Sequence, residues 1–168
     1  MSEEACPSCG LKTENSDGAV HRYLESSPGC WARYGELLAS EYENPAFMSA
    51  HELTVDAYAL QHPGRESPQT ISSAHVHLAS LYSYFELGTP VTELHGVKQR
   101  VVRYKDGFVW LEPPEDLGAI TVVDVLESET AAEHCAAVRR WAKYVFGQWQ
   151  RHHRSIARIL DPRPARAC

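Results

Sequence analysis

Three Ser-Pro or Asn-Pro pairs, Ser27-Pro28, Asn44-Pro45 and Ser67-Pro68, cut the first half of the chain into helix-length pieces. Proline has no N–H and clashes with the preceding turn, so it suits the start of a helix and disrupts its interior. Ser27 reads as an N-cap with Pro28 at the first helical position, which predicts a helix over roughly 29–43. Asn44-Pro45 breaks it. A second helix then runs from about 45 to 61, where His62-Pro63-Gly64 stops it, and Ser67-Pro68 opens a third that continues to Gly88.

Beyond Thr89-Pro90 the punctuation is looser. VTELHGVKQRVVRY suggests a shorter helix. FVWLEPPEDLGAITVVDVL holds two β-rich runs around Pro-Pro and Gly, which predicts a small β-hairpin insert at about 107–126. Ser128 could cap a long helix from about 129 to 160, ended by Asp161-Pro162. The expected fold class is mostly α, a helical bundle with a zinc-stapled N-terminal arm and a small β-hairpin element. The expected organisation is a single domain over 1–168, with a Cys-rich arm over 1–27, the bundle over 28–160 and a tail over 161–168.

At 168 residues, 43% of them hydrophobic, the chain can bury a core without disulfides. Its net charge of −6 argues against a nucleic-acid partner, and the basic run RRWAK…QRHHRSIAR…RPAR reads as a solvated helix face. MSEEACPSCG lacks the apolar core of a secretion signal, and no segment reaches the ~20 apolar residues of a membrane span. An odd count of five cysteines, two of them in a CxxC, suits a reducing cytoplasm better than a disulfide framework. Cys168, at the last position, fits no prenylation box.

CPSCG is the most specific local signal. Two thiolates on a tight turn can share one Zn²⁺, and Gly10 permits the positive φ such a turn needs. Cys30, in the first turn of a helix, supplies a third ligand. The fourth is read as His21, giving Cys6, Cys9, His21 and Cys30, with His62 as its rival at a helix end. The competing reading of the thiols is redox. A related one makes Cys30 a nucleophile assisted by His21.

The second question is posed by HELTVDAYALQHPG. Asp56 recurs on a face with Ser49, Leu53 and Leu60, so it points where leucines point, and an ionised carboxylate there demands a partner. His51 and His62 lie about 16 Å apart along the helix, at ~1.5 Å per residue, so one metal cannot take both. In SSAHVHL, Ile71, His75, Leu78, Tyr82 and Phe85 form one seam, and His77 is rotated ~200° from His75. In the last helix Cys135, Val138, Ala142, Val145, Trp149, His152, Ile156 and Ile159 form another. His95 and His134 fall outside this scheme and read as surface residues. The candidate catalytic set is therefore Asp56, His51, His75 and His152, aimed inward from three helices, with a second divalent metal as its cofactor.

CPSCG, HRYLESSPGCW, HELTVDAYALQHPG and SSAHVHLASL, in that order, resemble a family of bacterial proteins catalogued as a domain of unknown function. The resemblance covers roughly residues 6–81. It implies no activity, only that Cys6, Cys9, His21, Cys30, His51, Asp56, Tyr58, Gln61, His62, His75 and His77 fall within the family's motif blocks. A fainter architectural similarity is to DinB-like four-helix metalloproteins, although this chain lacks their paired histidines four residues apart.

Two functions compete on these residues. One is a small metal-dependent hydrolase or transferase acting on a small-molecule substrate through the bundle-core set. The other is a non-catalytic, zinc-stabilised module that binds a protein partner or forms a homo-oligomer through a Trp-rich surface of Trp31, Trp110, Trp141 and Trp149. No glycine-rich phosphate loop, dinucleotide fingerprint, GxSxG or HExxH motif is present.

Overall fold

The computed structural model describes residues 2–161; RPAR and Cys168 lie outside the described residues. The chain is mostly helical. Its only strands among the described residues are β1 (Glu3–Ala5) and β2 (Lys12–Glu14), paired antiparallel with Glu3 opposite Glu14. Of the six residues in EEA and KTE, Thr13 alone favours a strand. The pairing is set by the turn between them, which is CPSCG itself: Leu11 N and O lie at its far end, Cys6 N–H donates to Leu11 O at 2.8 Å, and Gly10 N–H donates to Cys6 O at 2.9 Å. Gly10 has φ 71°, a conformation open chiefly to glycine.

Each proline pair does what its chemistry dictates. Ser27 Oγ accepts from Cys30 N–H and starts α1 (Pro28–Glu43); Asn44 Oδ1 accepts from Ala46 N–H and starts the short α2 (Pro45–Met48). The expected second helix is divided at 49–50, so α3 begins at its own first turn and spans His51–Gln61. Ser67 Oγ accepts from Thr70 N–H at the start of α4 (Pro68–Phe85). A 3₁₀ turn leads into α5 (Leu94–Val101), and another follows it.

The expected β insert at 107–126 is not formed. Residues 108–121 run without regular structure, and two of their carbonyls, Leu117 O and Ile120 O, are satisfied by the Gln61 side-chain amide instead of a partner strand. TVVDVL becomes α6 (Val122–Leu126) because the Asp124 carboxylate accepts from Thr121 N–H at 2.7 Å, a helix-start bond that overrides the β preference of its valines.

The last helix starts at Thr130, not Ser128, where Thr130 and Glu133 bond reciprocally, and it is two helices, α7 (Ala131–Gln148) and α8 (His153–Leu160). The break falls at Trp149, whose fully buried indole donates to Leu60 O at 3.1 Å. A continuous helix would keep its own register there; the break lets the indole reach that carbonyl.

Helix α3 packs against α4 and α7, α4 also against α5 and α8, and α1 against α2 and α6. Leu37, Leu53, Leu60, Leu78, Leu81, Val138, Trp141, Val145, Trp149 and Ile156 form the core between them. Trp141 and Trp149 have no exposed surface, which removes them from the expected Trp-rich docking face. No described helix is long and apolar enough to cross a membrane.

Candidate metal centre and the polar clusters

The CPSCG turn, the first turn of α1 and the residue after α3 meet at one buried point. There the ligand atoms of Cys6, Cys9, Cys30 and His62 all lie within 4.8 Å of one another. The fourth member is His62. His21 stands outside, its Nδ1 accepting from Tyr23 N–H and Leu24 N–H at 3.3 Å and its ring edge-on to Tyr23. With Nδ1 occupied by the arm's own backbone, the imidazole serves as a local cap and is not among the clustered ligands, and burial lowers its pKa.

The spacing in the cluster is that of a tetrahedral site. Cys9 Sγ to Cys30 Sγ is 3.8 Å and Cys30 Sγ to His62 Nε2 is 3.3 Å. Ligand bonds of ~2.3 Å to sulfur and ~2.0 Å to nitrogen at tetrahedral angles require separations of about 3.8 and 3.5 Å. His62 Nδ1–H donates to Tyr58 O at 2.9 Å, which fixes the tautomer and leaves the Nε2 lone pair facing the thiols. Tyr58 stacks on the imidazole at 3.9 Å between centroids, and its hydroxyl lies 3.6 Å from Cys30 Sγ.

Electrostatics point the same way. Hydrogen bonds from Cys30 and Cys9 lower the Cys6 thiol far below its ordinary value, while its two neighbours and burial drive Cys30 upward. At Cys9 the bond from Cys30 is outweighed by Cys6 and burial, and the thiol is pushed up to about 11. Three thiolates cannot share this space by themselves; a divalent cation is what would let all three ionise. The Cys₃His group could therefore hold a metal ion.

The four residues expected to form a bundle-core site each bond to a different partner, and only His75 and His152 lie near enough to feel each other's charge. His51 Nδ1–H donates to Glu41 Oε2 at 2.8 Å. His75 is buried against Phe108, stacked at 4.2 Å, and its Nδ1–H is spent on Ile71 O at 2.9 Å. His152 is half-exposed beyond the helix break and donates to Glu112 O. The reason is that α4 is covered on several sides, so a single inward seam does not describe it, and that the α7–α8 break carries His152 off its stripe. His134, expected on the surface, is 1% exposed and donates to Glu41 Oε1 at 3.0 Å, completing with Thr54 and His51 a buried carboxylate cluster that ties α1, α3 and α7.

Asp56 is fully buried and fully partnered. His77 Nδ1–H donates to its Oδ1 at 2.7 Å, Lys98 Nζ to the same oxygen at 2.7 Å, and Ser80 Oγ to its Oδ2 at 2.5 Å. Burial alone would raise its pKa; the His77 bond and the Lys98 charge overcome this and hold the carboxyl below its ordinary range. Reasoning from the sequence missed His77 as its partner. The signal was present in the spacing of His77 and Ser80, three apart and so on one face of α4.

His77 stands where two clefts meet. One, of about 720 Å³, runs along α4 between Tyr23 and Phe108; the other, of about 150 Å³, is walled by His21, Trp31, Tyr34 and Tyr58; both include Tyr23, Ser73 and His77. Tyr23 belongs to the arm. The arm is pinned by Glu25 N–H to His62 O at 3.2 Å and by Ser8 Oγ to Glu25 O at 2.6 Å, so the thiol cluster and the cleft wall share one support.

A family model described as a family of unknown function (DUF5946) matches residues 4–150. No curated protein and no solved structure matches the chain.

Proposed function

The chain belongs to DUF5946, a family of unknown function, so its chemistry has to come from its own residues, and we propose that it is a zinc-stapled helical domain that binds a small molecule in the cleft along α4. The metal in this reading is Zn²⁺ held by Cys6, Cys9, Cys30 and His62, and its role is architectural. One observation carries it: the four ligands are 2%, 4%, 0% and 0% exposed, which leaves no open position for a water or a substrate at the metal. The zinc fixes His62, His62 O fixes Glu25, and the arm thereby presents Tyr23 as one wall of the cleft. Reduced, metal-bound thiols accord with a reducing, cytoplasmic setting.

Metal analysis of the purified chain tests the reading. One zinc per chain is expected, lost in Cys9→Ser and His62→Ala and kept in His21→Ala. Chelation should lower the melting temperature and speed proteolysis between 19 and 27. Zinc retained by His62→Ala, or a melting temperature indifferent to chelation, would overturn it.

A further inference from the structure

We propose that His77 is the catalytic base of a hydrolytic site in this cleft, with Asp56 as its positioning residue, acting on a small neutral ester with an apolar or aromatic body. The proposal rests on the reading of the cleft as a ligand site.

The arrangement at His77 is that of an oriented base. Its Nδ1–H is committed to Asp56 Oδ1 at 2.7 Å, so Nε2 carries the lone pair, and Nε2 has no partner among the described residues. The side chain is 18% exposed on the wall common to both clefts. A purely structural carboxylate would not need this imidazole, because Ser80 and Lys98 already bond to Asp56. Lys98 Nζ is divided between Asp56 Oδ1 and Glu52 Oε2, the latter at 2.6 Å. Two carboxylates therefore face one ammonium behind the ring, and the excess negative charge compensates the imidazolium that forms when His77 takes a proton.

The cleft itself selects the substrate. Tyr23, Ile71, Val76 and Phe108 give it apolar and aromatic walls, and its charged pair, Lys105 and Asp106, cancels. Such a lining suits a neutral acyl group and disfavours a phosphate, which would need uncompensated cations. Ser73 lies one helical turn before His77, where the i+4 side chain leans back toward it. Its hydroxyl has no partner among the described residues, so it can donate to the acyl oxygen as charge develops there. In the step, a water O–H breaks as its proton passes to His77 Nε2, and the water oxygen bonds to the acyl carbon. The C=O π pair moves onto the acyl oxygen as that bond forms, to return as C=O when the alkoxide leaves. The acyl C–O bond then breaks, and His77 returns the proton to the departing alkoxide.

The zinc-loaded full chain should be assayed with 4-nitrophenyl acetate and 4-nitrophenyl butyrate. Saturable turnover is expected, with kcat lower by about 100-fold or more in His77→Ala and His77→Gln, as for loss of a general base. Asp56→Asn should lower kcat by about 10-fold or more at unchanged KM, and His152→Gln should match the parent. If Asp56→Asn does not fold, the surface-accessible His77→Gln decides. No saturable turnover of either ester, or His77→Gln equal to the parent, overturns the proposal. Binding of 4-nitrophenol, followed by NMR at Tyr23 and Phe108, separates the two failures: binding without turnover removes the hydrolytic assignment and leaves the ligand cleft, while absence of both removes the cleft as well.

Discussion

Gln61 shows how much one side chain can hold. Its amide donates to Leu117 O at 2.6 Å and Ile120 O at 2.7 Å, and its oxygen accepts from the Trp141 indole at 3.0 Å. Gln61→Leu leaves three buried partners unmet, and should cost about 2–4 kcal/mol in urea unfolding while the metal content is unchanged from the parent's. The residues differ in how far the sequence discloses them. Cys6, Cys9 and Cys30 are legible because thiol spacing and a helix start are local facts. His62 was visible only as a rival to His21, since its place in the cluster depends on α3 ending beside the first turn of α1. His77 was hidden for a different reason: α4 meets α3, α5, α7 and α8, so its inward direction cannot be read from one apolar stripe.

Helix starts were the most legible elements, because a capping side chain and a proline act within one turn. Thr130→Ala removes the bond to Glu133 N–H at 3.2 Å and should destabilise α7 by about 1 kcal/mol, read as a lower melting temperature. The break at Trp149 and the missing β insert were not legible, because each is decided by a distant partner, Leu60 O in one case and the Gln61 amide in the other. The arm obeys the same rule. A Cβ on Gly64 would stand 2.1 Å from the Tyr23 carbonyl oxygen, a backbone atom that cannot swing aside. Gly64→Ala should therefore unseat residues 21–25, raising amide exchange there by about 10-fold or more (roughly 1.4 kcal/mol).

Across the molecule, buried titratable groups set a common response to acid. Glu41 is drawn up by burial but more strongly down by the His134 and His51 bonds, and Asp56 is likewise held low, so the stability they add is complete above the ordinary carboxylate range and is lost as pH falls through their lower folded values. His75 and His153 are lowered by burial, so below about 6.5 the unfolded chain takes protons that the fold refuses. The urea midpoint should begin to fall below about pH 6.5 and drop again below about pH 4; His75→Gln should flatten the upper limb. One column of rings adds an optical consequence. Tyr34 stacks on Tyr58 at 3.8 Å and Tyr58 on His62 at 3.9 Å, with Tyr34 forming part of the smaller cleft's wall. In a cobalt-substituted chain, a guest pressed against Tyr34 would tilt the imidazole through that column. The visible absorption bands of the ion would then report occupancy without any label.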